Sequence, residues 1–170
     1  PAGRFMENII ANVAQFDNDV RTERSVNGMR EACREGRYVW MAPVGYRNAK
    51  VDGKSTIEPD GKSELMQRAF RDIALQIEPI EYVRQRLVKE GLTTRKGKPM
   101  INGIFHKMIR NPVYKGWIIK FGEIHKGLYK PLVSEELFDQ VQRILNNPDR
   151  KKAQYITDHK DFPLRRFVTD

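Results

Sequence analysis

Cysteine, histidine and long apolar runs are scarce in this sequence. Its one cysteine, Cys33, excludes an internal disulfide framework. The three histidines, His106, His125 and His159, lack the spacing of zinc ligands, so we predict neither a metal nor a cofactor. No apolar run reaches membrane-spanning length and no signal peptide is visible, which predicts a cytoplasmic protein without a membrane partner.

Acidic residues are scarce in one particular segment. Residues 93–130 include nine basic residues and one acid, Glu123, a local net charge of 9 − 1 = +8. Residues 51–92 include seven basic and eight acidic residues, or 7 − 8 = −1. Such an uneven distribution costs self-repulsion unless a polyanion relieves it, which indicates nucleic acid as the partner. A basic surface that meets only solvent is the alternative interpretation.

The first 37 residues predict one long helix with two different halves. A helix over 4–35 is about 48 Å long at ~1.5 Å per residue, more than a small core can cover. In the first half, apolar residues recur in steps of three or four and so share one face, which predicts an oligomer interface. This stripe consists of Phe5, Ile9, Val13, Phe16 and Val20. The second half is basic and can meet an anion through Arg21, Arg24, Arg30, Arg34 and Arg37.

A connector is expected at 38–61, between this helix and the rest of the chain. Its first part mixes aromatic residues with arginines and suits an extended segment lying along a groove, while 48–61 predict a loop or weak hairpin. Trp40 and Trp117 could each be a core anchor or a stacking surface for bases.

The remainder predicts a mainly α fold with a small β-hairpin. Periodic apolar residues, caps and turn residues give the element boundaries. Two helices are expected at 63–77, with Phe70, Ile73 and Ile77 in the core, and from Pro79 to Gly91. Two more should begin after N-cap residues, Asn102 and Ser134. Strands are expected near 116–121 and 127–132. Helix, turn, helix and hairpin predict a winged-helix-like domain at 62–148. A flexible tail is expected at 149–170.

Several motifs occur in an order that a known family shares. The long helix has Gly3-Arg4, Phe16-Asp17 and Glu23-Arg24, and the segments APVGY, GLTTR, IRNPVYKG and PLVSEELF follow at 42–46, 91–95, 109–116 and 131–138. Together they resemble the post-catalytic helix and recombinase domain of the large serine site-specific recombinases, in the resolvase and invertase superfamily. The resemblance covers nearly the whole chain and implies the DNA-binding fragment of a phage integrase or transposase.

The resemblance also implies which parts of the complete enzyme carry out catalysis and which join its subunits. Such an enzyme cuts both DNA strands through phosphoserine links and exchanges the ends by subunit rotation. The family's nucleophilic serine matches nothing here, so no catalytic residue is predicted and the fragment alone is expected to be inactive. The zinc ribbon that usually follows is excluded by the single cysteine. The resemblance implies that the apolar stripe joins subunits into a dimer or tetramer. It also implies that the protein acts at the nucleoid of a bacterial or phage-infected cell.

The predicted partner is double-stranded DNA. By the resemblance, Arg24 approaches the DNA backbone, while Arg34, Arg37 and the connector follow the minor groove. We expect the short helix to face the major groove and the hairpin to hold phosphates. The full predicted set is Arg21, Arg24, Arg30, Arg34, Arg37, Arg47, Arg95, Lys96, Lys98, Asn102, Lys107, Arg110, Lys120 and Lys126. The competing hypothesis is a winged-helix transcription regulator with an N-terminal dimerisation helix, whose helix should remain apolar throughout.

Overall fold

The computed structural model describes residues 2–147 as a long helix leading into a small helical domain with two hairpins. The predicted fold class, mainly α with a small β component, is confirmed. The predicted tail at 149–170 lies outside the described residues. The elements are α1 (Ala2–Arg34), β1 (Tyr46–Val51), β2 (Lys54–Pro59), α2 (Ser63–Leu75), α3 (Ile80–Lys89), α4 (Asn102–Ile109), a 3₁₀ turn (Pro112–Lys115), β3 (Trp117–Lys120), β4 (Glu123–Lys126) and α5 (Glu135–Asn146).

Helix α1 projects from the domain as an arm. Residues 3–19 are all exposed, and only the last turns of the helix meet the domain, where Ala32 and Cys33 are buried. The sequence places Cys33 among polar helix residues, but the structure puts it in the core, because the arm docks at this point. None of the described helices is long and apolar enough to cross a membrane.

The core forms where α2 packs against α3 and α5. Phe70 of α2 and Phe138 of α5 are both buried, with ring centroids 5.8 Å apart. The predicted inward positions Ile73, Val83 and Leu87 are buried as well. The expectation for Ile77 is wrong: α2 ends at Leu75, Gln76 takes a left-handed conformation, and the Ile77 side chain is exposed.

Two antiparallel hairpins extend the domain, and each closes with a two-residue turn. The turn at Asp52-Gly53 joins β1 to β2, and Phe121-Gly122 joins β3 to β4; all four residues have positive φ, which suits the twist of a tight hairpin. The second predicted strand, at 127–132, is therefore wrong: pairing resumes at Glu123. Beyond Lys126, hydrogen bonds to Gly116 and to Gly36 redirect the chain.

The connector is a folded part of the domain. Tyr38, Ala42 and Tyr46 are buried in the core, so the first part of the connector packs on its own domain with these three side chains. The Asn48 side chain donates to the Trp40 carbonyl and accepts from the Ala42 amide, which closes this loop on itself. The loop thereby fixes the first hairpin beside the helices.

Helix α4 begins one residue earlier than predicted. Ile101, with extended backbone, is the N-cap residue, and Asn102 is the first helical residue. No side chain caps this end, so the predicted capping role of Asn102 is wrong. Ser134 does cap α5, because its hydroxyl accepts from the Leu137 amide.

Three buried tyrosines tie the connector to the segments that flank β3 and β4. Tyr114 donates to the Val44 carbonyl at 2.7 Å, and Tyr129 to the Val113 carbonyl at 3.2 Å. Tyr46 packs against both rings and donates to the carbonyl of Lys130 at 3.0 Å. Burial raises the pKa of each of these phenols above its ordinary value, since the ionised form would lose its hydration.

The tyrosine cluster predicts alkaline unfolding. Below pH 10 the phenols are protonated in both states and add no pH dependence, but above it the unfolded state loses protons that the folded state keeps. The free energy of unfolding should then fall by about 1.4 kcal/mol per pH unit for each such tyrosine. Urea titrations at pH 8–11 measure this slope, and Tyr46→Phe should reduce it. Stability that stays constant from pH 9 to 11 would contradict the assignment.

Candidate nucleic-acid interface

A tight basic turn presents three of the predicted DNA-binding side chains. Thr93 pairs with Pro99 in an isolated bridge, and the Thr94 amide and hydroxyl both donate to the Lys98 carbonyl. Gly97 takes the positive φ of 73° that closes the turn. The exposed side chains held by this turn are Arg95, Lys96 and Lys98.

These three cations share one groove with helix α4. The groove has a volume of about 650 Å³, and Lys107 of α4 adds a fourth cation to its lining. Its other lining residues include the exposed apolar side chains Met41, Ile101 and Ile104, and none of its described lining residues is acidic. The positive charge here is therefore unopposed, which favours a polyanionic ligand.

Arg95 connects this groove to a second depression. Its guanidinium Nη1 donates to the Ala42 carbonyl at 3.0 Å, which fixes the side chain between the two hollows. The second depression, about 420 Å³, is also lined by Arg47, Lys62 and Asp60. Arg47 pairs with Glu58 across the first hairpin at 3.3 Å. Arg47 is thus near the groove but partly neutralised.

The arginines of α1 divide into an outer and an inner group. Arg21 and Arg24 are exposed on the projecting arm. Arg34 Nη2 lies 3.4 Å and Arg30 Nε 3.9 Å from the Glu123 carboxylate of the second hairpin. The charge of the inner group is therefore partly neutralised by Glu123, and this pairing docks the arm on the domain. Arg37 likewise pairs with Glu35 at 2.7 Å.

Glu123 is the centre of this docking contact. Its other carboxylate oxygen lies 2.9 Å from His125 Nε2. Hydrogen bonding with His125 and then with Arg34 lowers the pKa of Glu123 below its ordinary value. The carboxylate consequently remains ionised at neutral pH and can hold both arginines.

The second hairpin places its two predicted phosphate ligands on opposite faces. Side chains alternate along a strand, and in the observed register Lys120 lies opposite Glu123 while Lys126 lies opposite Trp117. Lys120 Nζ lies 5.1 Å from the ring centroid of Trp40, on the face toward the arm. Lys120 and Lys126 are therefore not brought together, nor does either line the basic groove.

The helical domain that carries the basic turn and α4 matches a known family. Residues 60–148, more than half of the chain, match the family model "Recombinase". The chain belongs to the recombinase family. The match begins at the end of β2 and ends just beyond α5, so it includes the basic turn and α4. No match to a curated protein was found.

Two solved structures resemble this chain in fold. One, described as "Sequence Requirements of the Listeria innocua prophage attP site", has a TM-score of 0.54 and 21% identity, covering 72% of this chain and 51% of the other. The second, described as "Crystal Structure of a LSR-DNA Complex", has a TM-score of 0.53 and 22% identity, covering 74% and 40%. The chain thus spans about half or less of the structures it matches.

Some residues that hold the arm against the second hairpin could not be predicted from the charge pattern of the sequence. Glu123 stands out in sequence as the one acid among basic residues, yet its arginine partners lie about 90 positions earlier in the chain. The Phe121 ring lies between two partners: its centroid is 5.3 Å from the guanidinium carbon of Arg30 and 6.0 Å from the centroid of the Trp40 ring. Trp40 therefore belongs to the docking contact. Within residues 2–147, no group of three His, Cys, Asp or Glu side chains could hold a metal.

Docking of the arm can be measured through the single thiol of this chain. Cys33 belongs to the docked end of α1 and is buried against the domain, and burial raises its pKa, so a thiol reagent should react slowly. Glu123→Gln should speed the reaction about two- to fivefold, both by loosening the arm and by removing a negative charge that helps to raise the Cys33 pKa. Phe121→Ala alters no charge and should also speed it.

The matched control is Glu31→Gln, which removes an equal charge from an exposed position 3.8 Å from Arg34. It should leave the thiol reaction near the wild-type rate. Equal rates for the wild type and both loosening variants would show that Glu123 and Phe121 do not hold the arm.

Proposed function

We propose that this chain is the DNA-binding portion of a serine recombinase that integrates or excises DNA at specific sites. The observation that carries the proposal is the groove shared by the basic turn and α4, where Arg95, Lys96, Lys98 and Lys107 meet with no acid among the described lining residues. The family match and a neighbour described as a DNA complex support it. The target is then the DNA of a bacterial or phage-infected cell.

On this proposal, α4 enters the major groove and the basic turn holds the adjacent phosphates. Asn102, Lys107 and Arg110 are exposed along α4, where they can reach base edges. Arg110 lies 3.4 Å from His106 Nδ1, so its guanidinium is held at the end of the helix. Arg21 and Arg24 lie far along the arm and contact the backbone nearer the crossover site. Cleavage requires a serine-bearing domain that no part of this chain matches.

The arm is also proposed to join subunits. Phe5, Val13 and Phe16 are between half and two-thirds exposed, and Ile9 is 41% exposed. Apolar side chains of this size contribute about 1.5–3 kcal/mol each when fully buried, so a second copy of the stripe is a favourable partner. The competing regulator hypothesis expects an apolar helix throughout, whereas this helix becomes basic after Val20.

DNA affinity should fall steeply with salt. Each neutralised phosphate contributes about −0.9 to the slope of log K against log salt, so six to eight contacts give roughly −5 to −7. Lys98→Ala, which removes a proposed phosphate contact of the basic turn, should make the slope about 0.9 shallower. Fluorescence anisotropy with a labelled duplex across a salt series measures both quantities.

Lys89→Ala provides the matched control for this experiment. Lys89 is an exposed lysine of α3 that lies outside the predicted contact set and does not line the basic groove. Its removal should leave the slope unchanged. A wild-type slope near zero would refute the DNA-binding proposal.

Self-association should depend on the stripe of the arm. Phe16→Glu places a charge in the proposed interface and should convert a concentration-dependent dimer or tetramer into a monomer. The side chain does not touch the domain, so the circular dichroism of α2 to α5 should be largely retained. Sedimentation of both proteins over a range of concentrations measures the change. A wild-type chain that stays monomeric at all concentrations would refute the interface.

A further inference from the structure

The first turn of α4 presents apolar side chains where a nucleic-acid surface would be expected to present only polar ones. Ile101 is 60% exposed and Ile104 is 42% exposed, while Phe105 of the same turn is buried in the core. Ile101, the N-cap residue, and Ile104, in the first turn, both line the groove beside α4, so the two side chains face the same side of the domain. The domain leaves a substantial part of each side chain uncovered.

The surroundings of these isoleucines identify the kind of ligand that could cover them. Both line the 650 Å³ groove, and Lys98 and Lys107 line it too. An apolar protein partner would have to bury these cations without compensation, at a large cost in desolvation. A DNA major groove satisfies both requirements, because phosphates meet the cations and thymine methyl groups offer apolar contact.

Gly103, between the two isoleucines in the sequence, also supports a ligand at this position. A Cβ added at this position would meet nothing within 4 Å, and its φ is not positive, so the fold does not require a glycine. Glycine within a helix destabilises it by roughly 0.5–1 kcal/mol relative to alanine. A bare backbone at this point does allow the edge of a base to approach closely. An external ligand therefore explains this residue better than packing does.

Asn102 completes the set, since its exposed amide can pair with adenine through N6 and N7. We propose that the first turn of α4 is an A·T-reading subsite, in which Ile101 and Ile104 contact thymine methyl groups and Asn102 reads adenine. This rests on the proposed function, in which α4 enters the major groove. The isoleucines then determine specificity at this subsite, while the lysines of the basic turn provide affinity for any sequence.

Replacing thymine by deoxyuridine, which lacks only the methyl group, tests the subsite. The probe is the duplex that the full chain enriches from a random library, with each thymine replaced in turn. One or two replacements should weaken wild-type binding about fourfold each, the equivalent of ~0.8 kcal/mol per buried methyl group. Ile101→Ala and Ile104→Ala should abolish the loss at their own position. Lys98→Ala, on the basic turn, should weaken both duplexes equally and leave the ratio unchanged.

Gly103→Ala supplies an independent test, in which a loss of affinity could not be explained by a loss of stability. Its thermal midpoint should equal or exceed that of the wild type, and its affinity for the selected duplex should fall. Steep salt dependence with every deoxyuridine duplex binding as tightly as its parent would overturn the subsite and leave the proposed function intact. A chain that enriches no duplex and shows no salt dependence would overturn both.

Discussion

The packing of Tyr114 is the contact on which the rest of this structure depends. Its ring is fully buried, tilted against Phe70 of α2 at 5.6 Å and against Tyr46 of β1 at 6.0 Å. Its hydroxyl donates to the Val44 carbonyl, and its own carbonyl accepts from the amides of Leu132 and Val133. One residue thus joins the connector, the helices and the segment before α5. Removing it would leave buried polar groups unpaired as well as a large cavity.

That core also determines where the arm leaves the domain. Gly36 has a φ of 73°, and a Cβ there would lie 2.7 Å from the Lys126 carbonyl, so only glycine allows α1 to end so close to β4. The Leu128 amide donates to the Gly36 carbonyl and fixes this contact. Glu123 and Phe121 then hold Arg30 one to two turns earlier on the helix. The direction of an arm about 50 Å long is therefore set by a contact near its base.

Local sequence patterns predict the helices well because their buried faces repeat at helical spacing, as Phe70, Val83 and Leu87 show. They locate β4 poorly, since its start depends on a turn with a bulky residue, Phe121, at positive φ, which is uncommon. Asp52-Gly53 is a strong hairpin signal that a polar composition obscures. Residue type predicts which side chains are cationic, but the pairing of Arg34 with Glu123 arises only from tertiary structure.

The distribution of acids distinguishes two of the described hollows as candidate surfaces for the proposed DNA contact. The hollow beside the first hairpin, about 760 Å³, contains Arg37, Lys54 and Lys130, but Glu35, Asp52 and Glu58 line it as well. The groove beside α4 holds a similar number of cations without a described acid. Because opposite charges at short range cancel the field that a phosphate would feel, the groove beside α4 is the better candidate of the two for the proposed DNA contact. Net charge along the sequence thus suggests a class of partner, whereas the folded positions of Glu123, Glu35 and Glu58 narrow the choice of surface for that proposal.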